Sequence, residues 1–169
     1  MAAALETRDL NVTAKDPTAA STPARHLSGR AWLEGVKDGT VAPPPAARLL
    51  DIRLDEVDDG GVVFSMEPRE THYNPAGTVH GGILTVLADT AMTTAVMSKL
   101  PAGSWAPTIE LNMNFIRPVT ESTGRISATG SVIHVGRKVA VAESRILDAD
   151  GVLYAHSTST CAIKRAAPA

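Results

Sequence analysis

The sequence predicts an α+β fold in which one long helix packs against an antiparallel sheet of about six strands. The segment from about His80 to Lys99 is apolar or small on every side, which is typical of a helix buried all round. Two extended segments precede this helix, and four segments with a period of two follow it. This order, with no internal repeat, favours a single domain built of one helix and one sheet.

The chain before the long helix divides into a tail and the start of the domain. Residues 1–26 are rich in Ala, Thr, Ser and Pro without a sustained period, so we expect a flexible tail there and one domain in residues 27–165. Residues 28–39 favour a short helix capped by Ser28. Three prolines at 43–45 should end that helix and force an extended chain into the first strand.

The strands are predicted from a hairpin signal and from alternation. Residues 47–57 and 61–68 favour two strands, because the Asp-Asp-Gly-Gly at 58–61 is a strong hairpin turn. In residues 108–117 the apolar side chains alternate with polar ones, which predicts one face toward the core and one toward solvent. Under this alternation Ile109, Leu111, Met113 and Phe115 share the core face, and Thr108, Glu110, Asn112 and Asn114 share the other. Three further strands are predicted at 123–135, 138–148 and 152–163.

Composition narrows the class of function. The 169 residues carry a formal net charge of −2, which gives no electrostatic reason to expect nucleic acid or an acidic membrane as a partner. No segment is expected to span a bilayer, since threonines and Asp89 interrupt the most apolar one. The five histidines show no ligand spacing, so no metal is expected. The single cysteine, Cys161, is expected in the core of a cytoplasmic protein.

A lone carboxylate, Asp89, stands inside the apolar helix. A buried and unpaired carboxylate costs several kcal/mol in effective terms, so it needs a hydrogen-bond partner or a catalytic role. Thr90 and Thr93 are close enough in sequence to assist a structural hydrogen-bond network. The residues alone leave a structural and a catalytic role equally open.

The turn before the helix, HYNPAGTVHGG at 72–82, is rich in residues that bend the backbone. A helix that begins at His80-Gly81-Gly82 presents free backbone N–H groups, the geometry of an oxyanion hole. Asn74 adds a neutral donor and acceptor, and His80 is a polariser, a general acid or a capping residue.

Spacing separates this turn from the carboxylate. Asp89 lies eight residues after Gly81, about 12 Å along a helix, so one reacting atom cannot contact both groups of one chain. If both take part, they come from two subunits. A helix buried on all sides also requires more cover than one sheet gives, and both arguments predict an oligomer.

The turn at 72–82 followed by Leu87-Ala88-Asp89-Thr90-Ala91 resembles the hotdog-fold acyl-CoA thioesterases of the PaaI type, which include hydroxybenzoyl- and phenylacetyl-CoA thioesterases. The resemblance extends over about residues 45–164. It implies a curved sheet wrapped around the central helix, dimers that associate into tetramers, and hydrolysis of an acyl-CoA to a free acid and coenzyme A. No Gly-x-Ser-x-Gly elbow is present, which argues against an α/β-type serine hydrolase.

The resemblance implies roles for residues on the carbonyl side of the site. The Gly81 N–H would polarise the thioester carbonyl, and Asn74 would orient water or that carbonyl. His80 would assist the carbonyl or the leaving thiolate.

On the opposite side, Asp89 would act as nucleophile or as general base. Thr93 and Thr108 would position the acid or the attacking water. The resemblance also implies that Asp89 and Thr108 come from one subunit, and Asn74 and Gly81 from its neighbour.

Substrate contacts are predicted less sharply. Arg117, Arg137 and Lys138 are candidates for the coenzyme A phosphates, with ordinary solvated charges as the alternative. Leu84, Met92 and Met97 are guesses for the acyl tunnel, and no separate cofactor is expected. Two alternatives stay open: a hotdog hydratase or dehydratase, and a non-catalytic acyl-CoA-binding module.

Overall fold

A computed structural model describes residues 26–165 of the chain, and nearly all of the predicted tail, residues 1–26, lies outside this range. The described part confirms the α+β class. The helices are α1 (Gly29–Asp38), α2 (Pro45–Leu49) and α3 (Gly81–Ser98). The strands are β1 (Arg53–Val57), β2 (Gly61–Met66), β3 (Thr108–Phe115), β4 (Ile126–Val135), β5 (Val139–Asp148) and β6 (Leu153–Ala162).

The six strands form one antiparallel sheet in the order β1-β2-β4-β5-β6-β3. The sheet curves around α3, which contacts β2, β4, β5, β6 and β3. Within the described residues β3 pairs with β6 alone, so its other edge is open. An open edge offers unpaired backbone groups to another strand.

Helix α3 is the centre of the core. Gly130 of β4 lies so close that a Cβ there would be 2.2 Å from the Ala91 carbonyl oxygen, which only glycine allows. Six of the α3 side chains have no exposed surface: Leu87, Ala88, Ala91, Met92, Ala95 and Val96.

Helix α1 supplies part of the additional cover that α3 requires. Ser28 caps α1 as predicted, since its Oγ accepts a hydrogen bond from the Ala31 N–H. The helix then sits against the end of α3, where a Cβ on Gly29 would be 1.8 Å from the Met97 carbonyl oxygen. Trp32 and Leu33 are buried beneath it.

The approach to β1 differs from the prediction. The segment expected to be extended forms α2, a five-residue helix that begins at Pro45. Proline at the first position of a helix needs no N–H partner, and its fixed φ suits the helix, so the proline run starts a helix here.

Strand β3 also differs from simple alternation. A bulge between Thr108 and Glu110 inserts Ile109 into the ladder with β6. Ile109 is 61% exposed, whereas Leu111 and Met113 pack against the core as predicted. The bulge reverses the face of the residue that precedes it, so Thr108 is directed at α3.

By length and composition alone α3 could cross a membrane, since its 18 residues have a mean hydropathy of 1.2. The expectation that no segment would meet that test was too strict. Half of this segment is buried inside the domain, and the sheet curves around it. Core helices of soluble proteins pass the same test, so this is weak evidence for a membrane span.

Candidate active site

The carboxylate of Asp89 is half-buried in the third turn of α3 and is held by Thr108. The Thr108 hydroxyl donates a hydrogen bond of 2.6 Å to Asp89 Oδ1. Cys161 pairs with Thr108 in the sheet and is fully buried, and this burial raises the pKa of its thiol. Cys161 is therefore a core side chain, as predicted, behind a polar Asp89–Thr108 pair.

The other hydroxyls near the acid bond to the helix backbone. Thr93 Oγ1 donates to the Asp89 carbonyl oxygen at 2.7 Å, and Thr90 Oγ1 donates to the Val86 carbonyl at 2.7 Å. Neither donates to the Asp89 carboxylate. Within residues 26–165, Thr108 is the hydrogen-bond partner of that carboxylate, and Oδ2 is left without one.

Asn74 organises the turn that precedes α3. Its Oδ1 accepts hydrogen bonds from the backbone N–H groups of Ala76 and Thr78, and its Nδ2 donates to Thr78 Oγ1 at 3.0 Å. Gly77 closes the turn with a φ of 77°. A side-chain amide has two N–H donors, so one Nδ2–H of Asn74 remains for another group.

The N-terminus of α3 has the donor that an oxyanion hole needs. His80 is the capping residue: its Nδ1 accepts a hydrogen bond of 2.9 Å from the Gly82 N–H, which puts the proton of a neutral ring on Nε2. The Gly81 N–H has no acceptor among the described residues. Phe115 lies over this position, and a Cβ on Gly81 would be 2.9 Å from its Cζ.

These groups share a cleft. A cleft of about 370 Å³ between the turn, α3 and the end of β3 is lined by Asn74, Gly81, Phe115 and Arg117 among others. The Arg117 guanidinium donates to the Leu153 carbonyl at 2.5 Å and is exposed. One predicted phosphate contact therefore lies beside the predicted carbonyl donors.

Arg137 and Lys138 lie at the opposite end of the sheet, in the turn between β4 and β5. The Lys138 carbonyl accepts from the Ile163 N–H, next to the Cys161 position that pairs with Thr108. Both side chains are exposed. These two cations are thus at the Asp89–Thr108 end, and Arg117 is at the Asn74–Gly81 end.

The candidate residues form two separate groups in one chain. Thr108 and Phe115 are the two ends of β3, about 23 Å apart at 3.3 Å per residue. Along α3, Gly81 and Asp89 are about 12 Å apart. One chain therefore presents an acid group and a carbonyl-donor group that cannot meet on one substrate atom.

Apolar side chains are exposed along the strand that joins the two groups. Ile109, Phe115 and Ile116 are 61, 54 and 47% exposed, and Val86 on α3 is 36% exposed. Sequence reasoning placed Ile109 and Phe115 in the core and missed the contact of Phe115 with Gly81. No signal in the alternation separates an apolar residue at a core face from one at an open edge.

Comparisons with known proteins match this architecture. The thioesterase superfamily profile matches residues 76–155. A 1,4-dihydroxy-2-naphthoyl-CoA hydrolase of Listeria monocytogenes is 28% identical over 69% of this chain and 93% of its own length. A Halobacterium salinarum protein named "Putative esterase" is 36% identical over 59% of this chain and 67% of its own. The solved structure of the Escherichia coli PaaI protein, from the phenylacetic acid degradation operon, superposes with a TM-score of 0.69 at 27% identity, covering 83% of this chain and 96% of that chain.

Proposed function

The chain belongs to the thioesterase superfamily and has its hotdog fold, and from this premise we propose that it hydrolyses an acyl-CoA to a carboxylic acid and free coenzyme A. The observation that carries the proposal is the hydrogen bond between Thr108 and Asp89, which orients the carboxylate and leaves Oδ2 free to act. A carboxylate held in this way can serve as a base or a nucleophile, both of which thioester hydrolysis can use.

The reaction has two routes at this carboxylate. As a general base, Asp89 takes a proton from water, the hydroxide adds to the thioester carbonyl, and the C–S bond breaks to release the thiolate. As a nucleophile, Oδ2 attacks the carbonyl, the thiolate leaves, and water then hydrolyses the mixed anhydride. In either route the departing thiolate takes up a proton released by the attacking water, passed on by Asp89 or by the acid that leaves the anhydride, and the Nε2–H of a neutral His80 is a candidate hydrogen-bond donor to that thiolate.

The developing oxyanion needs donors fixed in advance. The free Gly81 N–H and the remaining Nδ2–H of Asn74 line one cleft and are suited to this task. The helix dipole of α3 adds favourable potential at the same point. Thr93, whose hydroxyl donates to the Asp89 carbonyl, contributes by fixing the local helix, and its oxygen keeps acceptor capacity for the attacking water.

A dimer joins the two groups into complete sites. Antiparallel pairing of two β3 edges about a two-fold axis places the Thr108 end of one strand against the Phe115 end of the other. Asp89 of one subunit then faces Asn74 and Gly81 of the second. Such pairing also buries the exposed apolar side chains that follow the open edge.

The same pairing assembles the charges for coenzyme A. Arg117 lies at the Phe115 end of β3, and Arg137 and Lys138 lie at the Thr108 end, so the dimer brings the three cations of two subunits to one site mouth. We propose that they bind the phosphates of coenzyme A. Association of dimers into tetramers and a cytoplasmic location belong to the same proposal.

Thiol release from a panel of acyl-CoAs tests the activity. We expect turnover by the wild type, a loss of about a hundredfold or more for Asp89→Asn, and no change for Asp150→Asn, which removes an exposed carboxylate from the turn between β5 and β6. Absence of thiol release from short, medium, long and aryl thioesters would refute the proposed hydrolase activity and favour a non-catalytic acyl-CoA-binding module. Hydration of an enoyl-CoA without thiol release would indicate the hydratase.

A further inference from the structure

The bulge that directs Thr108 at Asp89 lies opposite a short stretch of β6. Residues 108–111 of β3 face residues 159–161 of β6, four residues against three. The extra residue of a bulge takes no regular place in the ladder of backbone hydrogen bonds. The geometry of the bulge therefore depends on contacts from outside the regular ladder.

Ser159 of β6 supplies such a contact. The residue is 1% exposed and lies on the buried face of its strand. Its Oγ donates a hydrogen bond of 3.1 Å to the carbonyl oxygen of Glu110, which resumes the ladder directly after Ile109. Buried hydroxyls in native structures have hydrogen-bond partners, and Ser159 finds its partner on the opposite strand. A side chain thus links β6 to β3 at the bulge.

Cys161 fixes the direction of this hydroxyl. Its Sγ lies 3.8 Å from Ser159 Oγ. A serine hydroxyl has one hydrogen, and because that of Ser159 goes to Glu110, the S–H of Cys161 is the donor in this contact. Burial, with a smaller contribution from the charge of Asp89, raises the pKa of the Cys161 thiol and keeps this hydrogen in place. A directed chain of hydrogen bonds therefore runs from Cys161 through Ser159 to the bulge.

We propose that Ser159 is a positioning residue for the hydrolysis: through the Glu110 carbonyl it holds the bulge of β3 in the geometry that directs Thr108 at Asp89. It acts through Thr108, which is the hydrogen-bond partner of the Asp89 carboxylate among the described residues. The inference rests on the proposed function, because that function makes the orientation of Asp89 matter. It predicts that the Ser159 hydroxyl affects turnover only while Thr108 can donate to Asp89.

Ser157 provides a matched control in the same strand. Like Ser159 it is 1% exposed and lies on the buried face of β6. Its hydroxyl donates to Met92 Sδ of α3 at 3.6 Å instead of to the backbone of β3. Ser159→Ala and Ser157→Ala each delete one buried hydroxyl, and circular dichroism should show both folded. A catalytic difference between the two variants then reports the link to the bulge.

Steady-state kinetics test the proposed path of action. We expect Ser159→Ala to lower kcat about three- to tenfold with KM within about twofold of wild type, because a misdirected Thr108 disturbs Asp89 without touching the substrate. Ser157→Ala should leave both parameters within about twofold. In a Thr108→Val background Ser159→Ala should change kcat by less than about twofold, because the bond that it supports is already gone. A loss by the same factor in both backgrounds would refute the inference.

The Thr108 side chain itself gives a readout that needs no turnover. In protein labelled with ¹³C-threonine, the Thr108 methyl signal is identified by its absence from the spectrum of Thr108→Ser. Three-bond couplings from this methyl carbon to the backbone report the χ1 rotamer. Ser159→Ala should change these couplings, and Ser157→Ala should leave them as in the wild type.

The outcomes separate the two proposals. If the wild type releases thiol but Ser159→Ala changes neither kcat nor the couplings, the positioning role is refuted and the hydrolase stands. A fall in kcat with unchanged couplings also refutes the role, since activity is then lost by another route. If no thiol is released but the couplings change in Ser159→Ala and not in Ser157→Ala, the hydrolase falls and the control of Thr108 by Ser159 stands.

Discussion

Thr108 of β3 donates a hydrogen bond of 2.6 Å to Asp89 of α3, because the bulge at Ile109 turns the Thr108 side chain toward the helix. In an unbroken strand, a residue three positions before Leu111 would be directed away from the helix. Bulges are frequent beside active sites because they re-aim one side chain without moving the rest of the strand. The position of this acid therefore depends on one extra residue in β3.

Replacing Thr108 by valine removes the donor while keeping the shape. We expect kcat to fall about ten- to a hundredfold, because the carboxylate loses the bond that orients it. Thr108→Ser keeps the hydroxyl and should restore most of the activity. Steady-state thiol release measures both, and equal activity of the valine and serine variants would contradict a positioning role.

Asn74→Asp distinguishes a role of Asn74 in holding the turn from a role in binding the substrate. An aspartate keeps the acceptors for the Ala76 and Thr78 N–H groups, so the melting temperature should change little. It removes the remaining N–H donor and places negative charge near the oxyanion, so kcat/KM should fall about a hundred- to a thousandfold. A large loss of melting temperature with modest loss of kcat would instead assign Asn74 to the turn alone.

Mixing two inactive variants tests whether the site is shared between subunits. Asp89→Asn and Asn74→Asp should each be inactive alone. After unfolding and refolding together, random pairing makes half of the dimers mixed, each with one complete site, so activity should recover to about a quarter of wild type.

The control for that experiment combines both substitutions in one chain. If the sites are shared between subunits, the mixed dimer of the double variant and wild type has no complete site, so the activity of that mixture comes from the wild-type dimers alone and should be about a quarter of wild type. If each site lay inside one chain, the same mixture would keep about half of wild-type activity. No recovery in the mixture of single variants would place Asp89 and Asn74 of one chain in one site.

The burial of His72 predicts that the free energy of unfolding falls at acid pH. Burial, and then the charge of Arg69, lower the pKa of His72 below its ordinary value of about 6.5, so the unfolded chain binds its proton more readily than the folded chain. Its contribution to the free energy of unfolding is present above about pH 6.5 and is lost as the pH falls below that value, at no more than about 1.4 kcal/mol per pH unit.

Denaturant unfolding at several pH values checks this expectation. His72→Asn keeps an acceptor for the Arg69 N–H but cannot take up the proton, so its stability should fall less between pH 7 and pH 5. His134→Asn, which changes an exposed histidine of β4, should keep the wild-type slope. If stability falls with pH equally in all three proteins, His72 does not cause the loss.

The sequence analysis succeeded where a single periodic pattern decides the structure. The all-apolar run of α3 and the alternation of the later strands predicted the sheet and its helix, because burial on one face or all faces leaves a direct trace in residue order. It failed at α2, where Pro45 begins a helix, and at Ile109, whose apolar side chain fits the alternation that the bulge breaks.

The residues of the candidate site could be predicted in part for the same reason. Turn chemistry marked Asn74 and Gly81, and the isolated charge marked Asp89. Thr108 came from the resemblance, since its alternation pointed it away from the acid. The cavity of about 310 Å³ between α1, α2, β1, β2 and α3, which lies apart from these residues, depends on how five separate elements pack, and no local pattern carries that information.

The close packing of α1 on α3 controls the size of the cavity of about 310 Å³ between α1, α2, β1, β2 and α3. Gly29 touches the Met97 carbonyl so closely that any side chain there would lift α1 away from α3. The roof of this cavity would rise with it, although Gly29 is not part of the wall. Gly29 thus sets the separation of α1 and α3 from outside the cavity, and a substitution there would change the cavity's height although every residue of its wall stayed the same.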